Sequence, residues 1–220
     1  MSIELASYGI KNSKINYQLS SEELTQKMVE LGQGEITSSG AVNMLTGEFT
    51  GRSPQDRFIV MDEITENNVW WDGKTNIPFD SDKFDALYDK VVEHLSNREI
   101  YVRDAFACAD EAYKTKIRAI TETPAANLFI YNMFIRPTEE EIKNFGESEW
   151  TIINAPTFTA DADIDGTRQH NFSILNFKRK IVLNGGTGYT GEMKKGIFSA
   201  LNFIMPVFKN TLPMHCSANS

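Results

Sequence analysis

Apolar residues recur along the chain with two different spacings, and the change from one to the other marks out the elements. Phe84, Leu87, Val91 and Leu95 in SDKFDALYDKVVEHL stand three or four apart, which puts them on one face of a helix. Ser20 or Ser21 can cap an earlier helix running to about Leu31 and stopping at Gly32 or Gly34. Pro124 suits the first turn of a third helix through NLFIYNMFI, and TEEEIKNFG predicts a fourth, shorter one. AVNML, RFIVM, EIYVRDAFAC, KIRAI, WTIINA, FSILNF and KIVLN are short, β-rich and bounded by turn residues, so they predict strands. FSILNFKRKIVLN has the form of a hairpin, so the predicted class is α/β with a mixed rather than purely parallel sheet. No repeat, low-complexity run or long Pro/Gly/Ser linker divides residues 1–220, and one domain is expected.

Composition narrows the possible partners. With 41% hydrophobic and 24% charged residues, the 220-residue chain can bury a sizeable core. Its net charge of −8, with no Lys/Arg-rich run, argues against a nucleic-acid backbone as partner. The opening MSIELASYGI lacks the basic start and apolar run of a signal peptide, and no apolar segment reaches about 18 residues, so no membrane partner is expected and the reading is cytoplasmic. Cys108 and Cys216 are the only cysteines, which points to buried thiols rather than a disulfide framework. The Asn171-Phe172-Ser173 sequon is then a chance match.

The chemistry concentrates at NGGTGYTGEMKKGIF, residues 184–198. KIVLN before it is a strand, and Met193, Ile197, Leu201 and Met205 after it have helical spacing, so the glycines turn a strand into a helix. Thr190 is the candidate N-cap. Lys194 and Lys195 then fall in the first turn, where the helix dipole makes each cation unfavourable by roughly 0.3–1 kcal/mol unless an anion compensates. Gly186, Gly188 and Gly191 match GxGxxG, but no acidic residue follows from Met193 to Ser220 to hold a ribose, which disfavours a dinucleotide. The spacing of Gly186 and Gly191 also fits a P-loop, yet Glu192 and Met193 stand where lysine and a hydroxyl are needed. In LTGEFTGRSPQDRFIV, residues Thr50 to Pro54 form a tight turn with Arg52 at its apex, a side chain suited to a bidentate grip on a carboxylate. The plainer reading is a surface arginine paired with Asp56 or Glu48.

TGEFTGRSPQDRFIV, NMFIRP at 132–137, GGTGYTGEMKKGIFSALNFIMP and MHCSAN resemble, in order and spacing, the ATP-dependent phosphoenolpyruvate carboxykinases, from about Gly34 onward. The resemblance implies a three-layer α/β/α fold and conversion of oxaloacetate and ATP to phosphoenolpyruvate, carbon dioxide and ADP in gluconeogenesis. It also implies a divalent metal such as manganese together with Mg-ATP. Carried over by position, Arg52 binds the substrate carboxylate and the carbon dioxide region. Tyr189 lies against phosphoenolpyruvate or carbon dioxide, and Gly191 offers a backbone amide. Lys194 neutralises the transferring phosphoryl group, while Lys195, as a neutral amine, and His215 ligate the metal. A lysine can do so only after losing its proton.

The same resemblance reads residues 1–220 as the substrate-side, N-terminal domain, with a nucleotide-binding domain and its P-loop lying beyond Ser220. The chain alone is therefore expected not to turn over ATP, and the face turned to that domain is expected to favour self-association. Gly188 stands where the family usually has Trp, so looser packing around Tyr189 is expected. Two other classes compete with this reading: a dinucleotide-binding dehydrogenase fragment, and a non-catalytic module that presents the scaffold to a protein partner. His94, on a predicted helix face, and His170, in a loop, are assigned no site.

Overall fold

The computed structural model describes residues 5–217. The last residues of MHCSAN and the first four of the opening segment lie outside the described residues. In chain order the elements are β1 (Lys14–Tyr17), α1 (Ser21–Glu30), β2 (Gly34–Ile36), β3 (Val42–Met44), β4 (Arg57–Val60), β5 (Ile77–Phe79), α2 (Ser81–Leu95), β6 (Glu99–Ala107), β7 (Thr115–Thr121), α3 (Pro124–Met133), α4 (Glu139–Lys143), β8 (Trp150–Ala155), α5 (Ala162–Asp165), β9 (Phe172–Asn176), β10 (Ile181–Gly185) and α6 (Gly191–Phe208). Among the described residues, no helix is long and apolar enough to cross a membrane.

Helices α1 to α5 begin where side chains satisfy their free N–H groups. Ser20 accepts from Glu23 N while Glu23 returns a bond to Ser20 N, closing a capping box on α1. Asp80 caps α2, and Thr123 followed by Pro124 starts α3. The sheet runs β1-β6-β7-β8-β10-β9-β4-β5. β6 pairs antiparallel to β7 and β9 antiparallel to β10, the second being the predicted hairpin; β7, β8 and β10 are mutually parallel, as are β9, β4 and β5. The class is thus mixed α/β. β2 and β3 form a separate two-stranded ribbon.

Both faces of the sheet are covered, which explains the almost unbroken apolar runs of its central strands. Ile153, Ile174, Ile181 and Leu183 face one core with Phe84, Leu87, Val91 and Leu95 of α2. Ile152, Leu175 and Val182 face the other, with Ala126 and Ile130 of α3 and Met193, Ile197 and Ala200 of α6. This is the three-layer arrangement.

At its edge the second core changes character. Thr121, Asn154, Asn184, Ser173 and Arg57 lie opposite one another across β7, β8, β10, β9 and β4 in a single register row. Thr121, Asn154, Asn184 and Ser173 are buried. The row ends on Arg57, which reaches the start of α6, so the fold supplies a polar shelf just where the glycine turn leaves the sheet.

The expectation of two buried thiols fails: Cys108 is only partly covered and Cys216 is exposed. Cys108 follows β6 with φ +64°, a left-handed conformation outside the strand. Asn171 is buried, which agrees with a chance sequon.

Candidate functional site

The tight turn carrying Arg52 is fastened to the first turn of α6 by Glu192, a residue to which the sequence reading gave no role. Glu192 Oε1 accepts from Ser53 N at 3.1 Å and lies 3.9 Å from Arg52 Nε, while Oε2 lies 3.4 Å from Arg57 Nε. Arg57 also donates through Nη2 to Ser199 Oγ at 2.9 Å, about two turns further along α6. The Glu192 side chain is 4% exposed. An acid at this position is favoured by the helix dipole, but its oxygens face Ser53, Arg52 and Arg57, and among the described residues neither Lys194 nor Lys195 forms an ion pair. Burial pushes the Arg57 guanidinium below its usual range, Glu192 opposes that shift, and Arg52 adds to it.

Arg52 therefore does not pair with Asp56 or Glu48. Asp56 is buried and takes both oxygens to Arg168, with Gln169 donating at 2.9 Å, and Glu48 lies 3.4 Å from His170. These contacts clamp the far end of the turn to the segment before β9. The apex is left with one long ion pair, and Arg52 makes no hydrogen bond among the described residues.

The glycine turn packs closely. A Cβ at Gly188 would stand 2.8 Å from the carbonyl oxygen of Thr46, so the loop approaches the 44–47 backbone more tightly than any side chain permits. The looser packing expected from the missing Trp is corrected accordingly. At Gly191 a Cβ would fall 2.6 Å from the ring of half-buried Tyr189, and the bare backbone lets that ring lie over the start of α6. Tyr189 N donates to Thr187 Oγ1 at 3.1 Å. Thr190 occupies the N-cap position, but its hydroxyl makes no capping bond, because φ −72° and ψ −19° are helical rather than the extended geometry that aims a side chain at the first turn.

Lys194 is exposed and Lys195 half-buried, its Nζ 4.8 Å from the centre of the Phe198 ring. The His215 ring meets the same Phe198 edge-on, at 5.4 Å. Twenty positions apart in sequence, Lys195 and His215 both lie against Phe198 because α6 ends after Pro206 and the chain doubles back, held by Thr211 N to Met205 O and by Tyr113 to Thr211. An amine and an imidazole beside one aromatic ring can supply two ligands to a divalent metal. Among the described residues no group of three His, Cys, Asp or Glu could hold one. A complete shell needs a further donor.

The principal cavities do not gather these groups. One of about 260 Å³, lined in part by Thr46, Gly47, Asn154, Gly188 and Thr190, lies on one side; another of about 400 Å³, lined in part by Arg57, Trp70, Phe198 and Asn202, lies on the other. Arg52, Lys194, Lys195 and His215 line neither. Of the other histidines, His94 lies against Glu122 and Thr157.

A signal for Glu192 did exist in the sequence: after Asp165 it is the only Asp or Glu in the chain, amid seven Lys and Arg. A lone acid beside two glycine-flanked lysines is a candidate partner for both them and Arg52.

The family model described as phosphoenolpyruvate carboxykinase matches residues 13–220, further toward the N-terminus than the motifs alone suggested. The ATP-dependent phosphoenolpyruvate carboxykinase of Christiangramia forsetii is 62% identical over 217 residues, and that of Flavobacterium johnsoniae 60% over 218, each match spanning 99% of this chain and 40% of the relative. The enzyme of Deinococcus radiodurans is 44% identical over 215 residues, 98% of this chain and 45% of its own. The chain thus spans about two fifths of the length of these relatives. By its match to the family model and to these relatives, the chain belongs to the ATP-dependent phosphoenolpyruvate carboxykinase family.

Proposed function

We propose that this chain forms the substrate-side domain of a phosphoenolpyruvate carboxykinase, a carboxy-lyase that converts oxaloacetate and ATP to phosphoenolpyruvate, carbon dioxide and ADP. Its place is in cytoplasmic gluconeogenesis, with a nucleotide-binding domain as partner. The observation that carries this reading is the buried Glu192 clamp, which joins the Arg52 turn to the helix start that bears Lys194 and Lys195. Two stretches 139 positions apart in sequence meet there, bringing Arg52 and Arg57 to the helix start that carries Lys194 and Lys195.

In this reading Arg52 grips a carboxylate of oxaloacetate through its free donors. Tyr189 covers the carbon that leaves as carbon dioxide, and the Gly191 N–H, at a helix N-terminus, faces developing negative charge. Breaking the C–C bond leaves its electron pair as an enolate, whose oxygen attacks the γ-phosphoryl group of ATP while ADP departs. Lys194 offsets charge on that phosphoryl group. Lys195 and His215 would hold a divalent metal such as manganese, with magnesium accompanying the nucleotide. When bound, the metal supplies Lewis-acid stabilisation of the enolate.

Replacing Arg52 tests the assignment. In the full-length enzyme carrying this segment, Arg52→Ala should raise KM for oxaloacetate roughly 10- to 100-fold, the loss of a bidentate charged contact. An unchanged KM removes Arg52 from the site and the reading with it.

A further inference from the structure

Arg52 stands at the apex of an exposed turn with a single ion pair at 3.9 Å. A long, flexible guanidinium binds a small dicarboxylate well only when its backbone is already held in place. Glu192 is the group that holds it. One of its oxygens takes the Ser53 N–H, the residue next to Arg52, while the other faces Arg57 on the strand that the turn feeds. The contact to Arg52 itself is longer, so Glu192 fixes the turn without consuming the donors of the apex guanidinium. Without that carboxylate, Arg52 and Arg57 would repel each other at close range.

We propose that Glu192 is a positioning residue for substrate binding, which couples the Arg52 turn to the N-terminus of α6 so that the arginine and the lysine pair meet one substrate in a fixed relation. This rests on the function proposed above. The coupling predicts a division of effects: loss of Glu192 weakens oxaloacetate binding while leaving the nucleotide side untouched.

The test uses the full-length enzyme and measures KM for oxaloacetate, KM for ATP, kcat and thermal unfolding for three variants: Arg52→Ala, Glu192→Gln, and Glu192→Gln combined with Arg57→Gln. Glutamine keeps an oxygen for the Ser53 N–H but removes the charge, and the double variant removes the unpaired buried cation that could otherwise unfold the single one. The expected result is a rise in KM for oxaloacetate of about tenfold in either Glu192 variant, with KM for ATP unchanged and kcat within about threefold. If Arg52→Ala raises KM for oxaloacetate and the folded Glu192 variants do not, the positioning role is overturned and the proposed function stands. A rise in both KM values together with a lower unfolding temperature in the double variant also overturns it, because Glu192 would then serve the fold alone. Should Arg52→Ala leave KM for oxaloacetate unchanged, the proposed function falls and the inference falls with it.

Discussion

At the scale of single residues, the polar shelf beneath the glycine turn carries a cost that the molecule does not recover internally. Asn184 is fully buried, and neither its side-chain nitrogen nor its oxygen has a partner among the described residues; the Ser173 hydroxyl opposite it is in the same condition. Each buried polar group left unpaired costs roughly 1–3 kcal/mol relative to an apolar group of similar shape. Asn184→Leu is therefore expected to stabilise the protein by about 1–3 kcal/mol, read as a higher denaturant midpoint in chemical unfolding. A lower midpoint would mean that the amide is satisfied and that the shelf belongs to the stabilising core. Residue types were legible from the sequence here, but not their pairing. Asn154, Asn184 and Ser173 are unremarkable letters in three separate strands, and only the strand order places them side by side.

At the scale of elements, the periodicities were sound guides wherever local chemistry and burial agreed. α1 starts at Ser20, one of the two caps the sequence offers, α2 covers the stretch its apolar spacing predicts, and the β9–β10 hairpin lies where FSILNFKRKIVLN predicts it. β1, β2 and β5 were missed, since three or four residues at a sheet edge or in a ribbon are too few to display a period. β1 is held at its edge position partly by Glu99 of β6. The Asn16 amide of β1, then Lys27 of α1 and Lys14 of β1, bond to that carboxylate and hold its pKa down at about 2, against an ordinary 4.5. A depressed carboxylate contributes stability that is fully present above the unfolded value and is lost as pH falls through the folded one. Acid should thus destabilise the wild type between about pH 4.5 and pH 2, and Glu99→Gln should flatten that part of the stability profile while lowering stability at neutral pH. Equal slopes for the two proteins across this window would remove Glu99 from the account.

At the scale of the whole molecule, Arg52, Lys194, Lys195 and His215 line neither cavity described above, and a phosphoryl transfer needs water excluded and a nucleotide held. Two of the metal donors proposed here have no third among the described residues. The 220-residue chain assayed alone is accordingly expected to form no phosphoenolpyruvate from oxaloacetate and ATP in a coupled assay, and sustained turnover would show that the domain is sufficient. What the sequence by itself determined was whatever depends on near neighbours: helix caps, strand alternation, the hairpin, and the family strings around Arg52 and Lys195, because capping bonds and side-chain periods are set within a few residues. Tertiary structure alone decided the pairings across distance. It withdrew Asp56 from Arg52 by giving it to Arg168, brought His215 back to Phe198 through the break after Pro206, and placed Glu192 between two arginines. A charge chooses its partner by distance in space, and the order of strands in the sheet, not the order of residues in the chain, sets that distance.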